Sequence, residues 1–512
     1  MDSNQQSLAV YAPKKILQGA NLYCRNSILV AELDKSVSGK AVDQQFLDSA
    51  LQLINEFRST AAKTNLDSMP ALADSIPANT FAEVLNTLAL TLQRWCGLPV
   101  SFAQVLKIGE GAQSEHVVFE CRLDHLATAA GQIAAEACLH CMNPQLLSKE
   151  RIQNIITEFE RVFISSRTTQ IPFIRQAEES SIPWLPLTVD GAILAFGQGA
   201  KIKKIHQNYT SSTSLIASRI ATDKYTTANM LRAQGIPVPR QLVVTEPGAA
   251  LEAARKLGFP VVVKPARNDF GTAVFVDVRD EQEVTHAFNE ASKHGPVIVE
   301  QQIPGEQHRI MVINGKFRSA RRQLPAHVIG DGTSSVQALI DKTNETRLAN
   351  DWQPIPNDDE AKAQLKKQEM KMDSVPSSGQ MAKLRSQANL STGGSMEDLT
   401  SQVHPVNIQL AERTAAIVDI DVAGLGFISR DISKPYWEVG AAFCEVNVTP
   451  GLILNEEEII LSEWFGDEDK GRVITIVLLD PAPDKNSGAK IAEFLQGKYS
   501  KVCLATKKGN VD

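Results

Sequence analysis

At 512 residues, with 43% hydrophobic and 22% charged side chains, the chain has the makeup of a folded globular protein of about three domains, not of a disordered or fibrous one. A net charge of −7 supplies no general field for nucleic acid or anionic lipid, so an anionic ligand must be held by local groups. No run approaches the ~20 apolar residues of a membrane span, no basic-then-apolar leader is visible at the start, and seven scattered cysteines fit reduced thiols. A cytoplasmic protein with neither nucleic acid nor membrane as partner is the expectation.

From about residue 14 to 165, short strands at 15–18, 28–33 and 117–121 mix with helical spacing over 81–96 and 127–142, which predicts a small α+β domain. Glu83, Glu110 and Glu115 read there as solvated carboxylates, and no nucleophile stands beside a base. Cys138-Leu-His-Cys141, with Cys121 and His125 upstream, has a hint of metal-ligand spacing, but residues 134–141 read more readily as a buried helix packed with small thiols. A helix over 149–163 leads to Ile182-Pro-Trp-Leu-Pro186, an extended connector by its prolines.

The second unit begins near Leu194. Thr222 is the expected cap of a helix entered through Asp223 and Lys224 and stopped by Gly235 and Pro237. A lysine in a first turn opposes the helix dipole, which suits a Lys224 facing an anion as well as a solvated one. Strand 241–244, helix 248–257, strands 260–264 and 273–278, helix 281–293 and strand 296–300 then predict a small mixed sheet with helices on one face. Lys264 ends one apolar run and Glu300 ends the next. A lysine emerging from a buried strand commonly binds phosphate. Asn314-Gly315 is a two-residue hairpin signal.

Residues 341–383, polar and carrying Pro354, Pro356 and Pro376, are either a lid with local helix (362–371 the candidate) or a disordered insert. They deliver the chain into 384–394, where Arg385 offers a fork for a planar anion and Ser391 and Thr392 offer hydroxyls. Gly393-Gly394 there lets backbone N–H groups approach a carboxylate or phosphate. An ordinary Gly-Gly turn is the alternative. An amphipathic helix is expected over 405–419. Glu445 and Asn447 then fall on one face of a strand, where a carboxylate and an amide oxygen can share Mg²⁺. A polar helix and lysine-rich tail follow from about 485. Lys224, Lys264, Glu300, Arg309, Glu445 and Asn447 together point to phosphoryl transfer by positioning and electrostatics.

From about 200 to 455 the chain resembles the ATP-grasp domain of cyanophycin synthetases. The likeness lies in Thr222-Asp-Lys224, Gly235-Ile-Pro-Val-Pro239, Val261-Val-Val-Lys-Pro265, Pro325-Ala-His-Val-Ile-Gly-Asp-Gly332, Ala388-Asn-Leu-Ser-Thr-Gly-Gly394, Val403-His-Pro405 and Glu445-Val-Asn447. Asn21-Leu-Tyr23 and Cys96-Gly-Leu-Pro-Val100 extend it upstream. The resemblance implies α/β and α+β architecture: an ATP-grasp fold over 216–485, a small α+β amino-terminal domain over 1–165, a connector over 166–215, and a helix and tail over 486–512.

It also implies ADP-forming ligation of a carboxylate to an amine through an acyl phosphate, joining an amino acid to another amino acid or short peptide, in a homo-oligomer. Lys224 and Lys264 would hold the ATP phosphates, and Glu300, Gln301, Ile303 and Gln307 the adenine side. Arg309 would act with Lys264 in catalysis. Glu445 and Asn447, with Asp431, would hold Mg²⁺, and Arg385, Ser391, Thr392, Gly393 and Gly394 the substrate.

The departures are specific. The chain ends where the family continues into a Mur-ligase-like domain. Residues 268–273 replace the Gly-rich phosphate loop, and Gly426 stands where a metal-binding Asp is expected, leaving Asp431 as substitute. Gln323 replaces an arginine, and Glu83, Asn86 and Thr87 replace a His-x-x-Glu-His pattern. They leave a second reading open, a degenerate protein that binds nucleotide or peptide as partner of an active synthetase.

Overall fold

The computed structural model describes residues 10–19, 21–24, 26–50, 52–53, 79–108, 114–143, 150, 154, 157, 170–188, 190–266, 273–349, 353–385, 388, 392–452, 455–466, 470–473 and 493–496. The expected helix at 149–163, the altered loop at 268–272, Ser391, Glu110 and the tail lie wholly or mostly outside these residues.

The first unit runs β1 (Tyr11–Leu17), β2 (Ile28–Leu33), α1 (Phe81–Trp95), β3 (Ala103–Ile108), β4 (Ser114–Glu120) and α2 (Asp124–Met142). Its strands pair antiparallel in the order β1-β2-β4-β3. α1 and α2 bury Phe81, Val84, Leu88, Ala127, Ala134 and Cys138 in one core with Leu29, Val117 and Phe119. Of the carboxylates read as solvated, Glu83 is half-buried and Glu115 is not solvated at all. Glu83 closes a capping box with Thr80, and Glu115 is buried, accepting the Gly39 N–H at 2.6 Å. The edge strand β3, where exposed Gln104 and Lys107 break the apolar pattern, was not expected.

α3 (Gln170–Glu179) precedes an antiparallel meander of β5 (Trp184–Pro186), β6 (Ile193–Phe196), β7 (Lys203–His206) and β8 (Tyr209–Thr210). The proline-rich connector is therefore in part a strand. It lies at the sheet's edge, where a proline's missing N–H is tolerated. α4 (Leu215–Thr222) and α5 (Lys224–Ala233) follow. The cap of α5 is Asp223, which accepts the Thr226 N–H at 2.9 Å. Thr222 instead ends α4, its hydroxyl donating to Ser218 O at 3.0 Å.

Next come β9 (Gln241–Val244), α6 (Pro247–Leu257), β10 (Val261–Pro265), β11 (Phe275–Val278), α7 (Glu281–Ala291) and β12 (Val297–Gln301). The sheet order is β11-β10-β12-β9, and every pairing is antiparallel rather than mixed. Period-two alternation puts Val261, Val263, Val297 and Val299 in the core with α6 and α7. Lys264 and Glu300 therefore point the other way.

The remaining elements are β13 (Glu306–Ile313), β14 (Lys316–Leu324), β15 (His327–Ile329), α8 (Val336–Ala349), α9 (Asp359–Lys367), β16 (Met381–Lys383), β17 (Ser395–Asp398), α10 (Pro405–Val418), β18 (Val422–Ser429), α11 (Tyr436–Val439), β19 (Ala442–Asn447) and α12 (Glu456–Phe465). A five-stranded antiparallel sheet has the order β17-β14-β13-β18-β19. Asn314 (φ 50°) and Gly315 (φ 71°) make the expected hairpin turn. One face of this sheet packs Ile310, Val312, Ala320, Leu425, Phe427 and Val446 on Leu410, Ala411 and Ala415 of α10. The opposite face carries, in register across four strands, Arg321, Arg309, Gly426 and Glu445.

The described part of 341–383 has a core of its own, which corrects the reading of a disordered insert. β15 pairs with β16, and Val328, Val336, Ile340, Ile355, Leu365, Ala382 and Leu384 are buried together. α9 starts earlier than predicted because Asp358 caps it, accepting the Ala361 N–H at 3.1 Å. Among the described residues no helix is long and apolar enough to cross a membrane.

Candidate functional site

Lys264 is buried, and its Nζ donates to Glu300 Oε1 at 2.7 Å. Gln241 Nε2 fixes the other carboxylate oxygen of Glu300 at 2.7 Å. Burial pushes the Lys264 ammonium toward neutrality, but Glu300, with Cys444 and Glu445 beyond it, outweighs that and holds its pKa above the ordinary lysine range. An ammonium has three donors, and Glu300 takes one of them. Cys444 and Glu445 of β19 thus stand near enough to Lys264 for their charge to act on it.

Glu445 is half-buried. Its Oε1 accepts from Arg309 Nη2 and from Asn447 Nδ2, each at 3.1 Å. Arg309 Nη1 also donates to Gly424 O at 3.3 Å, which pins the guanidinium flat against β18. Burial would raise the Glu445 pKa; Arg309, Asn447, Lys264 and Lys224 reverse this and hold it below the usual carboxylate range. Lys224 belongs to this group because α5 packs on β19. The structure thus brings Lys224, Lys264, Glu300, Arg309, Glu445 and Asn447 to one cleft.

Gln301 ends β12, Ile303 lies on the crossing to β13, and Gln307 is the second residue of β13. Gln301 donates its N–H to Arg240 O at 2.9 Å and accepts Arg240 Nε on its side chain at 3.3 Å. Gly305 (φ 133°) passes so close to β18 that a Cβ would sit 2.3 Å from Ser429 C, so the crossing needs glycine.

Asp431 stands apart from Glu445 and Asn447. It lies past the end of β18, its Oδ1 accepting the Ser433 N–H at 2.9 Å and hydroxyl at 2.6 Å. No group of three or more His, Cys, Asp or Glu among the described residues is placed to hold a metal. The donors that do fit Mg²⁺ are the hard oxygens of Glu445 and Asn447, a set suited to an ion that takes its other ligands from phosphate and water. Cys138 is fully buried in α2, and burial pushes the Cys141 thiol up to about 12.

Arg385 is not an open fork. Its Nη1 and Nη2 donate to the two oxygens of Asp358 at 2.9 and 2.6 Å, and Nε faces Glu360 at 3.5 Å. The glycines beyond it seat the loop on its neighbours. Gly393 has φ 85°, with Ile355 Cα 2.7 Å from where a Cβ would be, and Gly394 O accepts from the buried Arg347 at 2.8 Å. Thr392 is half-buried beside them.

Sequence reasoning missed a buried group beside Arg309. Arg321 pairs with Glu456, whose Oε1 also accepts from Ser319 Oγ at 3.1 Å, and Arg321 Nη2 donates to Ser319 Oγ at 3.3 Å. This ties the start of α12 to the polar face. No local signal marks it, since Arg321-Arg322 and Glu456-Glu457-Glu458 both read as solvated charge.

Residues 215–304 match the ATP-grasp domain family, so this α/β chain carries an ATP-grasp domain. It is 33% identical over 379 residues to cyanophycin synthetase of Geminocystis herdmanii, covering 72% of this chain and 43% of that protein. It is 31% identical over 452 residues to cyanophycin synthetase of Crocosphaera subtropica, with coverages of 84% and 51%. The glutathione biosynthesis bifunctional protein GshAB of Mannheimia succiniciproducens is 31% identical over 252 residues, 47% of this chain and 33% of that one. The chain is a cyanophycin synthetase-like ATP-grasp protein, and it spans about half the length, or less, of these curated relatives.

Proposed function

We propose that the protein is an ADP-forming carboxylate–amine ligase that joins an amino acid to another amino acid or a short peptide. The observation that carries this reading is the convergence of three cationic side chains, Lys224, Lys264 and Arg309, on the Glu445–Asn447 face. The names of the relatives, cyanophycin synthetases and a glutathione biosynthesis protein, support the substrate class.

In this reading Lys224 and Lys264 hold the ATP phosphates. Glu300, itself fixed by Gln241, keeps Lys264 charged and aimed. Gln301, Ile303 and Gln307 line the adenine end. Glu445 and Asn447 hold Mg²⁺, which when bound spreads the charge of the phosphates. A substrate carboxylate oxygen attacks the γ-phosphorus and ADP leaves. The amine then attacks the acyl carbon of the acyl phosphate, inorganic phosphate leaves, and the nitrogen gives up a proton. Arg309 lies where its fixed charge stabilises the transferring phosphoryl group. The loop around Ser391, Thr392, Gly393 and Gly394 offers N–H and hydroxyl donors to the substrate, with Arg385, locked on Asp358, positioning the loop. Action in the cytoplasm and as a homo-oligomer belongs to the same reading, the latter checked by light scattering.

A second reading, nucleotide binding without ligation, is favoured by one feature: the strand opposite Glu445 brings Gly426 rather than a second carboxylate. ADP release with Mg-ATP across a panel of amino acids, singly and in pairs, separates the two. Turnover that requires a pair, and is lost in Lys264→Ala and Glu445→Ala, supports the ligase. ATP binding by calorimetry without turnover on any pair supports the binding protein. Absence of ATP binding sinks both.

A further inference from the structure

Among the described residues the site has protein donors for a single divalent cation. We infer that the chain takes one such ion per bound nucleotide, on Glu445 and Asn447, and that Arg309 occupies the place on Glu445 that a second ion would need. This deepens the nucleotide reading above and rests on it.

The strand that faces Glu445 cannot lend a second carboxylate. In register with Glu445 on β18 is Gly426, and a Cβ there would lie 2.4 Å from Glu445 Cγ and 3.0 Å from Cys444 Sγ. The side chain of Glu445 lies across that glycine, which is how it reaches Arg309. Asp431, the nearest substitute in sequence, is tied to Ser433 in its own turn.

The two oxygens of Glu445 are also unequal. Oε1 takes the Arg309 and Asn447 donors at 3.1 Å. A metal ion approaching that oxygen would have to displace a guanidinium that stays protonated at any working pH. Oε2 makes no hydrogen bond among the described residues. Oε2 and the amide oxygen of Asn447 thus supply two protein ligands of the roughly six that Mg²⁺ or Mn²⁺ requires, the rest coming from phosphate and water. The positive charge that a second ion would bring is already present as Arg309, Lys224 and Lys264.

The test is to mix the full-length chain with an equimolar non-hydrolysable ATP analogue and titrate with Mn²⁺, following free Mn²⁺ by electron paramagnetic resonance. One Mn²⁺ per complex is expected, weakened about tenfold or more in Glu445→Gln. Arg309→Met is expected to admit a second Mn²⁺, while Arg309→Lys, which keeps the charge, stays at one. Two Mn²⁺ in the unaltered chain, or a single one in Arg309→Met, overturns the inference and leaves the nucleotide reading standing. Calorimetry that finds no retention of the analogue, with or without Mn²⁺, overturns the nucleotide reading itself and this inference with it.

Discussion

Replacing Glu456 with leucine would strip Arg321 of its counter-charge where water cannot replace it. The side chains of Arg321 and Glu456 are only 2% and 1% exposed, so the orphaned guanidinium stays in the protein interior. Breaking a buried pair in this way costs about 3–5 kcal/mol. Loss of the acceptor for Ser319 Oγ adds about 0.5–1.5 kcal/mol. Against a total domain stability of roughly 5–15 kcal/mol, the single change removes a large share. Arg321→Met combined with Glu456→Leu removes both charges and is expected to cost far less than the two single changes summed, with a coupling energy of at least ~2 kcal/mol. Urea unfolding followed by tryptophan emission is the assay, because Trp464 sits in α12 with its ring 6.4 Å from that of Phe196. A Glu456→Leu cost below ~1 kcal/mol, or a double variant equal to the sum of the singles, would refute the reasoning.

Burial holds the imidazole of His308 below its usual range, so the folded chain keeps it neutral while the unfolded chain takes up a proton near pH ~6.5. Unfolding free energy should therefore be full above that pH and fall as the pH drops below it, and His308→Phe should flatten this slope in urea titrations from pH 5 to 8. Gly426→Asp must push Glu445 aside; a loss of about 1–3 kcal/mol is expected in thermal melts without nucleotide. Gly393→Val forces a branched side chain into φ 85° against the Ile355 backbone, with an expected cost above ~2 kcal/mol by chemical unfolding.

The elements that were legible in the sequence are those with a dense local signal. The hydrophobic runs ending in Lys264 and Glu300, the Asn314-Gly315 turn and the alternation of Glu445 with Asn447 all lie where they were expected. What escaped depends on contacts distant in sequence. An ideal two-residue hairpin would set Ala320 opposite Arg309. A register shift between Met311 and Val312 brings Arg321 there instead, and nothing in the local pattern announces the shift. Arg385 read as a ligand fork because its partner, Asp358, lies 27 residues upstream, on the far side of α9 and β16. The core of residues 341–383 was hidden for a related reason: its apolar residues are spread thinly among charges and meet only when β15 and β16 pair.

In the sheet formed by β13, β14, β18 and β19, neighbouring residues answer to different demands. Ile310, Leu425 and Val446 keep the fold, while Arg309, Gly426 and Glu445, one position away, face the cleft. Selection can therefore rewrite the cleft side one residue at a time without disturbing the packing on α10. A deletion is another matter. Removing a single residue from β18 would turn leucine and phenylalanine into the cleft and set glycines against α10, so these strands should drift freely by substitution and hardly at all in length.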